Sequence, residues 1–317
     1  MRVFLTTFFL GSVAAGAGAA HGQDYPAKPI RIVTAPAGGG GDMLSRQIAQ
    51  GVSGNLGQPV VIDNRPNGVA GPNIVTKSLP DGYTLLVIGS TFWLEPLLQK
   101  IPYDPVTEFT PVTTAVSSLS VLVAHPSLPV KSVRDLIALA RARPGALNYA
   151  STGVGGIAHL SMELFKSLAK VNIVGVPYSG GNPAIIAMLR GEVQLIFSTA
   201  VSAIPHVQSG KLKALAVASP KPSLVMPGVP TVAATGLPGY EYVAVLGMFA
   251  PARVPEAIIR RLNQEVVRFL TIAGTKQRLL DLGYESIASS PEELAARMKS
   301  DIVTLGKVIK DAGIKAD

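Results

Sequence analysis

The stretch T-A-P-A-G-G-G-G-D-M-L-S-R, Thr34 to Arg46, constrains this chain more than any other. A β-branched run ending at Thr34 feeds four consecutive glycines, Gly38 to Gly41, and an apolar-periodic helix follows from about Asp42. A strand, a glycine turn and a helix start in that order leave first-turn amides converging without intrahelical acceptors. Those amides and the helix dipole favour an anion. Glycine admits positive φ and lets a ligand approach with no Cβ in the way. A Walker loop would close on Gly-Lys-Ser/Thr, but Asp42 and Met43 follow Gly41. The dinucleotide fingerprint asks for an acid about 20 residues on, and Asp63 in V-V-I-D-N answers to it, so this rival stays open. An ordinary βα turn without a ligand stays open too.

Length and composition narrow the classes. At 317 residues the chain has room for two domains, and 48% hydrophobic against 15% charged residues describes a globular protein with ample core. The net charge of +8 attracts anions in general. No Lys/Arg run or basic-aromatic stripe accompanies it, so nucleic acid is not an expected partner. The absence of cysteine excludes thiolate metal sites, disulfides and cysteine nucleophiles, and the four histidines lie far apart, so neither metal nor cofactor is expected. Arg2, an apolar run from Val3 to Val13 and small residues from Ala14 to Ala20 read as a secretory signal, residues 1–22, cut between Ala19 and Gln23. An uncleaved anchor is the alternative.

The rest of the chain alternates strands and helices. Strands are expected at Ile30–Thr34, Val60–Asn64 and Tyr83–Gly89, with helices from Asp42 to Leu56 and around Asn73–Leu79. This β-α-β-α-β order implies parallel strands with right-handed crossovers and a ligand beyond the strands' carboxyl ends. The middle repeats the logic: strands at Ser120–His125, Leu147–Ala150, Ile173–Pro177, Gln194–Ser198 and Leu212–Ala218. A second glycine-rich turn, S-T-G-V-G-G from Ser151 to Gly156, again opens a helix. Tyr242–Ala250 returns as a strand, and C-terminal helices follow, the last capped by Ser290, Pro291 and Glu293. Two such arrays suggest two facing lobes, residues 23–124 with 248–317 and residues 125–247, each with a mostly parallel sheet.

Ten short motifs then stand in one order: Y-P-A-K-P-I-R-I-V, G-G-G-x-D-x-x-x-R, V-x-D-N-R-P, D-G-Y-T-L, Y-D-P, L-N-Y-A-S-T-G-x-G-x-x-x-H-L, V-P-Y-x-G, G-K-L-K-A-L-A-V, P-G-V-P-T and P-G-Y-E. Along its mature length the chain resembles the tripartite tricarboxylate transporter substrate-binding proteins, the TctC-like or Bug receptors. The resemblance implies a type II-like periplasmic-binding-protein fold, a two-lobed Venus flytrap. It implies a monomeric periplasmic receptor, not an enzyme, that hands a small di- or tricarboxylic, amino or aromatic acid to a membrane permease. A ligand carboxylate would be held by backbone groups and waters at Pro36, Ala37, Gly38, Gly39 and Gly40. Ser151, Thr152, Gly155 and Gly156 would oppose them, with His159 one turn on. Walls would come from Ser90, Thr91 and Phe92, from Tyr178, Ser179 and Gly180, and from Ser198, Thr199 and Ala200. Ala37 and Gly41 depart from the usual proline and hydroxyl residue, Ser179 from a frequent lysine, and Val245 from a frequent tryptophan.

Structural roles compete for several of these residues. Asp42 is expected to cap the following helix, Arg46 to offset it, Arg65 to pair with Asp63, and His159 to stay neutral within its domain. Phe92 and Trp93 have the size of core residues. A ligand sensor feeding a signalling system is one alternative function. Another is an exported hydrolase using Ser151 or Ser161 with His159, although no G-x-S-x-G elbow is present.

Overall fold

Strand β1 (Ile30–Thr34) does run through the glycine loop into helix α1, but the helix starts at Gly40 and ends at Leu56. The computed structural model describes residues 25–65 and 68–315; the expected signal segment lies outside them. The first lobe continues with β2 (Val60–Asn64), α2 (Ala70–Thr76), β3 (Thr84–Gly89), a 3-10 turn (Ser90–Trp93), α3 (Glu95–Leu98) and β4 (Phe109–Ser118). The chain then crosses into β5 (Ser120–Ala124), α4 (Val133–Ala142), β6 (Asn148–Ser151), α5 (Ile157–Ala169), β7 (Val174–Pro177), α6 (Gly181–Leu189), β8 (Leu195–Thr199), α7 (Ala200–Gln208) and β9 (Lys213–Val217). It returns through β10 (Ala244–Pro251), α8 (Glu256–Thr271), α9 (Ala273–Asp281), β11 (Tyr284–Ser286) and α10 (Pro291–Asp311).

The two sheets follow one plan. Their orders are β11-β4-β10-β3-β1-β2 and β7-β6-β8-β5-β9. In each, the lobe's second, first and third strands lie side by side and parallel, and a reversed strand from the crossing chain then separates the third from the fourth. The sheets are therefore mixed rather than mostly parallel, because β10 and β5 are inserted antiparallel to both neighbours. This exchange also moves the expected boundaries. Ser120–Ala124, assigned to the first lobe from sequence, belongs to the second sheet, and the return precedes Ala244 instead of following Gly247. All five residues of β5 are buried, so their pattern signals a central strand without saying of which sheet. A single residue, Leu119, separates β4 from β5.

One hydrophobic cluster joins the lobes: Phe92, Trp93 and Leu98 meet Leu160, Phe165 and Phe197, with Leu294, Met298 and Leu305 of α10 between. Trp93 is 1% exposed and its indole N–H donates to Asp301 Oδ2 of α10 at 3.2 Å. Outside the first sheet, α1 and α8 cross at Gly51, where an added Cβ would lie 2.0 Å from Phe269 Cδ2, so only glycine fits. The expected caps form: Ser132 Oγ accepts from Asp135 N, and Ser290 with Glu293 makes a reciprocal capping box.

Phe249 lies fully buried where β10 meets the 3-10 turn, with ring centroids 5.4 Å from Phe92 and 6.1 Å from Trp93. Phe249→Ala should cost about 3–5 kcal/mol, since the hole opens between sheet and α10 and cannot collapse. Urea unfolding should show a lower midpoint with an unchanged slope.

Candidate functional site

The glycine loop spends part of its donor capacity on itself. Gly38 N–H donates to Asp42 Oδ2 at 2.9 Å, and Gly39 N–H to Pro36 O at 3.2 Å. Asp42 is 4% exposed and also receives Asn64 Nδ2 at 2.9 Å and Arg46 Nε at 3.0 Å. Arg46 above all, with Gly38 and Asn64 behind it and burial opposing, holds the Asp42 carboxyl down to about 2. Asp42 thus closes the loop on itself; Gly39 is the N-cap, without a side-chain cap bond. Beyond this closure, and among the described residues, the amides of Gly40, Gly41 and Asp42 have no acceptor.

The second turn is built the same way. Gly155 N–H donates to His159 Nδ1 at 3.2 Å and Gly156 N–H to Gly153 O at 3.2 Å. Burial pushes the His159 pKa down, so the ring is neutral with its proton on Nε2. Gly156 caps α5, and the amides of Ile157 and Ala158 have no acceptor among the described residues.

Both helix starts open on one cleft made of three connected cavities. The middle cavity, about 270 Å³, is lined by Gly40 and Gly41 of α1, Ile157 of α5, Thr199 before α7, Ser90, Thr91, Ser118 and Tyr284. A larger cavity of about 340 Å³ shares Gly41, Gly89, Thr91 and Leu246 with it and extends to Glu95 and Gln99. A third, about 190 Å³, shares Ile157 and Thr199 and adds Thr152, Gly181, Ser198 and Ser202. Among the described residues, no lysine, arginine or histidine lines any of them. The arrangement offers backbone amides and hydroxyls to an anion without a counter-charge, as helix N-termini do elsewhere.

Of the residues expected from sequence, the structure gathers Gly40, Ser90, Thr91, Thr152, Gly155, Gly156, Ser198 and Thr199 around this cleft. Pro36, Ala37 and Gly38 stay on the exposed outside of the loop, and Gly39 is its cap. Phe92 is not a wall: it is fully buried against Tyr103, Phe109 and Phe249. Ala200 is buried, and its amide bonds Leu119 O at 2.9 Å. Tyr178, Ser179 and Gly180 line none of the cavities, nor does Ser151, whose Oγ donates to Gly153 O. His159 acts from behind, by holding Gly155. Neither Ser151 nor Ser161 is hydrogen-bonded to it. Asp63, the candidate ribose partner, is taken by Arg65 at 2.9 Å and Arg31 at 3.6 Å.

The lining residues that sequence reasoning did not name include Ser118, Ile157, Glu95, Leu246 and Tyr284. Tyr284 comes from β11, far along the chain, and its hydroxyl would meet a Cβ on Gly40 at 2.2 Å. Burial raises its pKa, so it enters the cleft as a neutral phenol. No group of three or more metal-binding side chains exists among the described residues.

Comparison with known proteins follows this geometry. The family model for the tripartite tricarboxylate transporter family receptor matches residues 44–314. BugT of Bordetella pertussis is 33% identical over 297 residues, covering 92% of this chain and 91% of that one. The structure of R. palustris Rpa4515 with adipate superposes with a TM-score of 0.79 at 35% identity, covering 92% and 99%. MatC (Rpa3494) from Rhodopseudomonas palustris with bound malate gives 0.75 at 32%, covering 90% and 100%. The chain belongs to the tripartite tricarboxylate transporter receptor family.

The loop geometry yields two checks. Gly40→Ala should cost about 1–3 kcal/mol through the clash with Tyr284. Adding Tyr284→Phe should restore most of it, because the ring carbon Cζ lies at a tolerable 3.4 Å. Urea titration of the four proteins measures the coupling, and a stable single Gly40→Ala variant refutes the contact. The second check is pH. Asp42 titrates below its ordinary 3.8, so its contribution is whole above about pH 4 and fades as pH falls toward 2. The gap in melting temperature between wild type and Asp42→Asn should narrow over that range.

Proposed function

We propose that this receptor-family chain captures a small carboxylate between its lobes and delivers it to the membrane permease of a tripartite tricarboxylate transporter. It works as a monomer in the periplasm, exported by its N-terminal signal. The observation that carries the reading is the meeting of two helix starts, α1 and α5, at one cavity whose amides have no acceptor among the described residues. A carboxylate has two oxygens and about four lone-pair positions, which Gly40, Gly41, Ile157 and Ala158 amides with Ser90, Thr91, Thr199 and Tyr284 hydroxyls can fill. The carboxylates bound by Rpa4515 and MatC support the same chemistry.

Hydrogen bonds to a charged group contribute about 1.5–3 kcal/mol each. Four of them, less the costs of association and closure, reach about −8 kcal/mol, which is micromolar affinity. The donors sit on opposite lobes, so the ligand binds the closed arrangement better and shifts the hinge equilibrium toward it.

Ile157 provides a clean test. It is the first residue of α5, a position proline tolerates, and Gly156 at φ −68°, ψ 165° already has the backbone a following proline requires. Ile157→Pro therefore deletes one cleft amide and leaves the helix in place. For whichever acid raises the melting temperature most in a screen of carboxylates, calorimetry should show about 10- to 150-fold weaker binding. Ile157→Ala, which keeps the amide, should bind within a few-fold of wild type. Equal affinity of Ile157→Pro and wild type would move the carboxylate elsewhere.

A further inference from the structure

The cleft has a second pole, and it is negative. Around the 340 Å³ cavity the walls are Pro72, Leu86, Val87, Ile88, Leu98 and Val154, with Glu95 of α3 and Gln99, the residue after it, among them. Among the described residues, Glu95 is the only acidic or basic side chain lining any of the three cavities. It has no ion-pair partner among the described residues. Its Oε2 accepts a hydrogen bond from the Tyr103 hydroxyl, and Tyr103 is itself packed between Phe92 and Phe109. The aromatic cluster thus sets the orientation of the Glu95 carboxylate. Oε1 has no partner among the described residues.

Poles of opposite sign at the two ends of an apolar slot, amides at one and Glu95 at the other, decide what fits. A ligand anchored by a carboxylate in the middle cavity extends past Gly41, Gly89 and Thr91 into the larger one, since both cavities share those residues. A second carboxylate arriving there finds no cation and faces Glu95. A cationic nitrogen finds a fixed acceptor there, and the bond between them is charge-assisted. Burial pushes the Glu95 carboxyl up from its ordinary value, with the Tyr103 bond opposing, which marks a charge short of partners in the free protein.

Resting on the carboxylate reading above, we propose that Glu95 is the specificity residue of this receptor and that its ligand is a zwitterion. The carboxylate sits at the α1 and α5 starts, an apolar spacer lies along Val87, Leu98 and Val154, and a terminal ammonium bonds Glu95. An ω-amino acid has this form.

Calorimetry at neutral pH tests it with matched sets of four-, five- and six-carbon acids: the ω-amino acid, the simple monocarboxylate and the dicarboxylate of each length. In wild type the ω-amino acid of the best length should bind at least tenfold tighter than its monocarboxylate, and the dicarboxylate should be weakest. Glu95→Gln keeps an oxygen for Tyr103 and removes the charge. It should erase the advantage of the amine and strengthen the dicarboxylate. A dicarboxylate binding tightest to wild type, or an amine preference that survives Glu95→Gln, overturns the proposal and leaves the receptor reading standing. If Glu95→Gln loses all three kinds of acid alike, Glu95 is structural and the proposal fails. If no acid of any set binds wild type, the carboxylate reading falls, and this proposal with it.

Discussion

Thr34 Oγ1 donates to Val87 O at 2.9 Å, and an added Cβ on Gly41 would stand 2.8 Å from that same oxygen. This crowding where β1, β3 and α1 come together leaves no room for a side chain at position 41. The threonine already fills the space. With no side chains at Gly40 and Gly41, the first turn of α1 presents bare amides, and α5 does likewise across the cleft. The duplicated strand order of the two sheets makes this opposition possible, because each sheet's leading strand delivers its helix start to the same side. Remove either glycine turn and the remaining lobe holds half a ring of donors.

The proposed cleft meets its anion, then, with neutral groups. The chain's net charge of +8 lies outside it, where solvent screens it. Fixed amide dipoles need no reorganisation, whereas a buried arginine would carry its own desolvation cost. Neutral donors also leave the net charge of the full ligand to be judged by whatever lies further along the slot. The proposed division of labour would set affinity by backbone and selection by a few side chains on α3 and β11.

Much of the first lobe was legible in advance. Strands β1, β2 and β3 stand within a residue of their expected places, since β-branched runs ending in Gly or Asn punctuation leave little choice. Two elements escaped for definable reasons. Strand β4 contains Pro111, which argues against a central strand, yet Pro111 sits opposite Phe249 beside a register irregularity in the ladder. Helix α7, with Pro205 inside it, has no counterpart among the expected elements. The strand exchange was invisible, because periodicity reports burial and not partnership. The site was legible as loops but not as atoms. Sequence placed both glycine turns correctly, while which amides are already used depends on Asp42 and His159 folding back. Tyr284 carries no local signal at all; only β11 pairing with β4 brings it to Gly40.

Trp93 is the chain's single tryptophan. It ends the turn that starts at Ser90, two residues beyond Thr91 in the cleft wall, and its indole N–H is tied to Asp301 of the helix packed across both lobes. Its emission therefore comes from one site, in apolar surroundings, beside one carboxylate whose distance sets the local field. Any reseating of the turn or of α10 changes that field, and with it the wavelength and yield of the light. The molecule carries its own optical gauge of closure, readable without a label, at the point where wall, hinge and C-terminal helix meet.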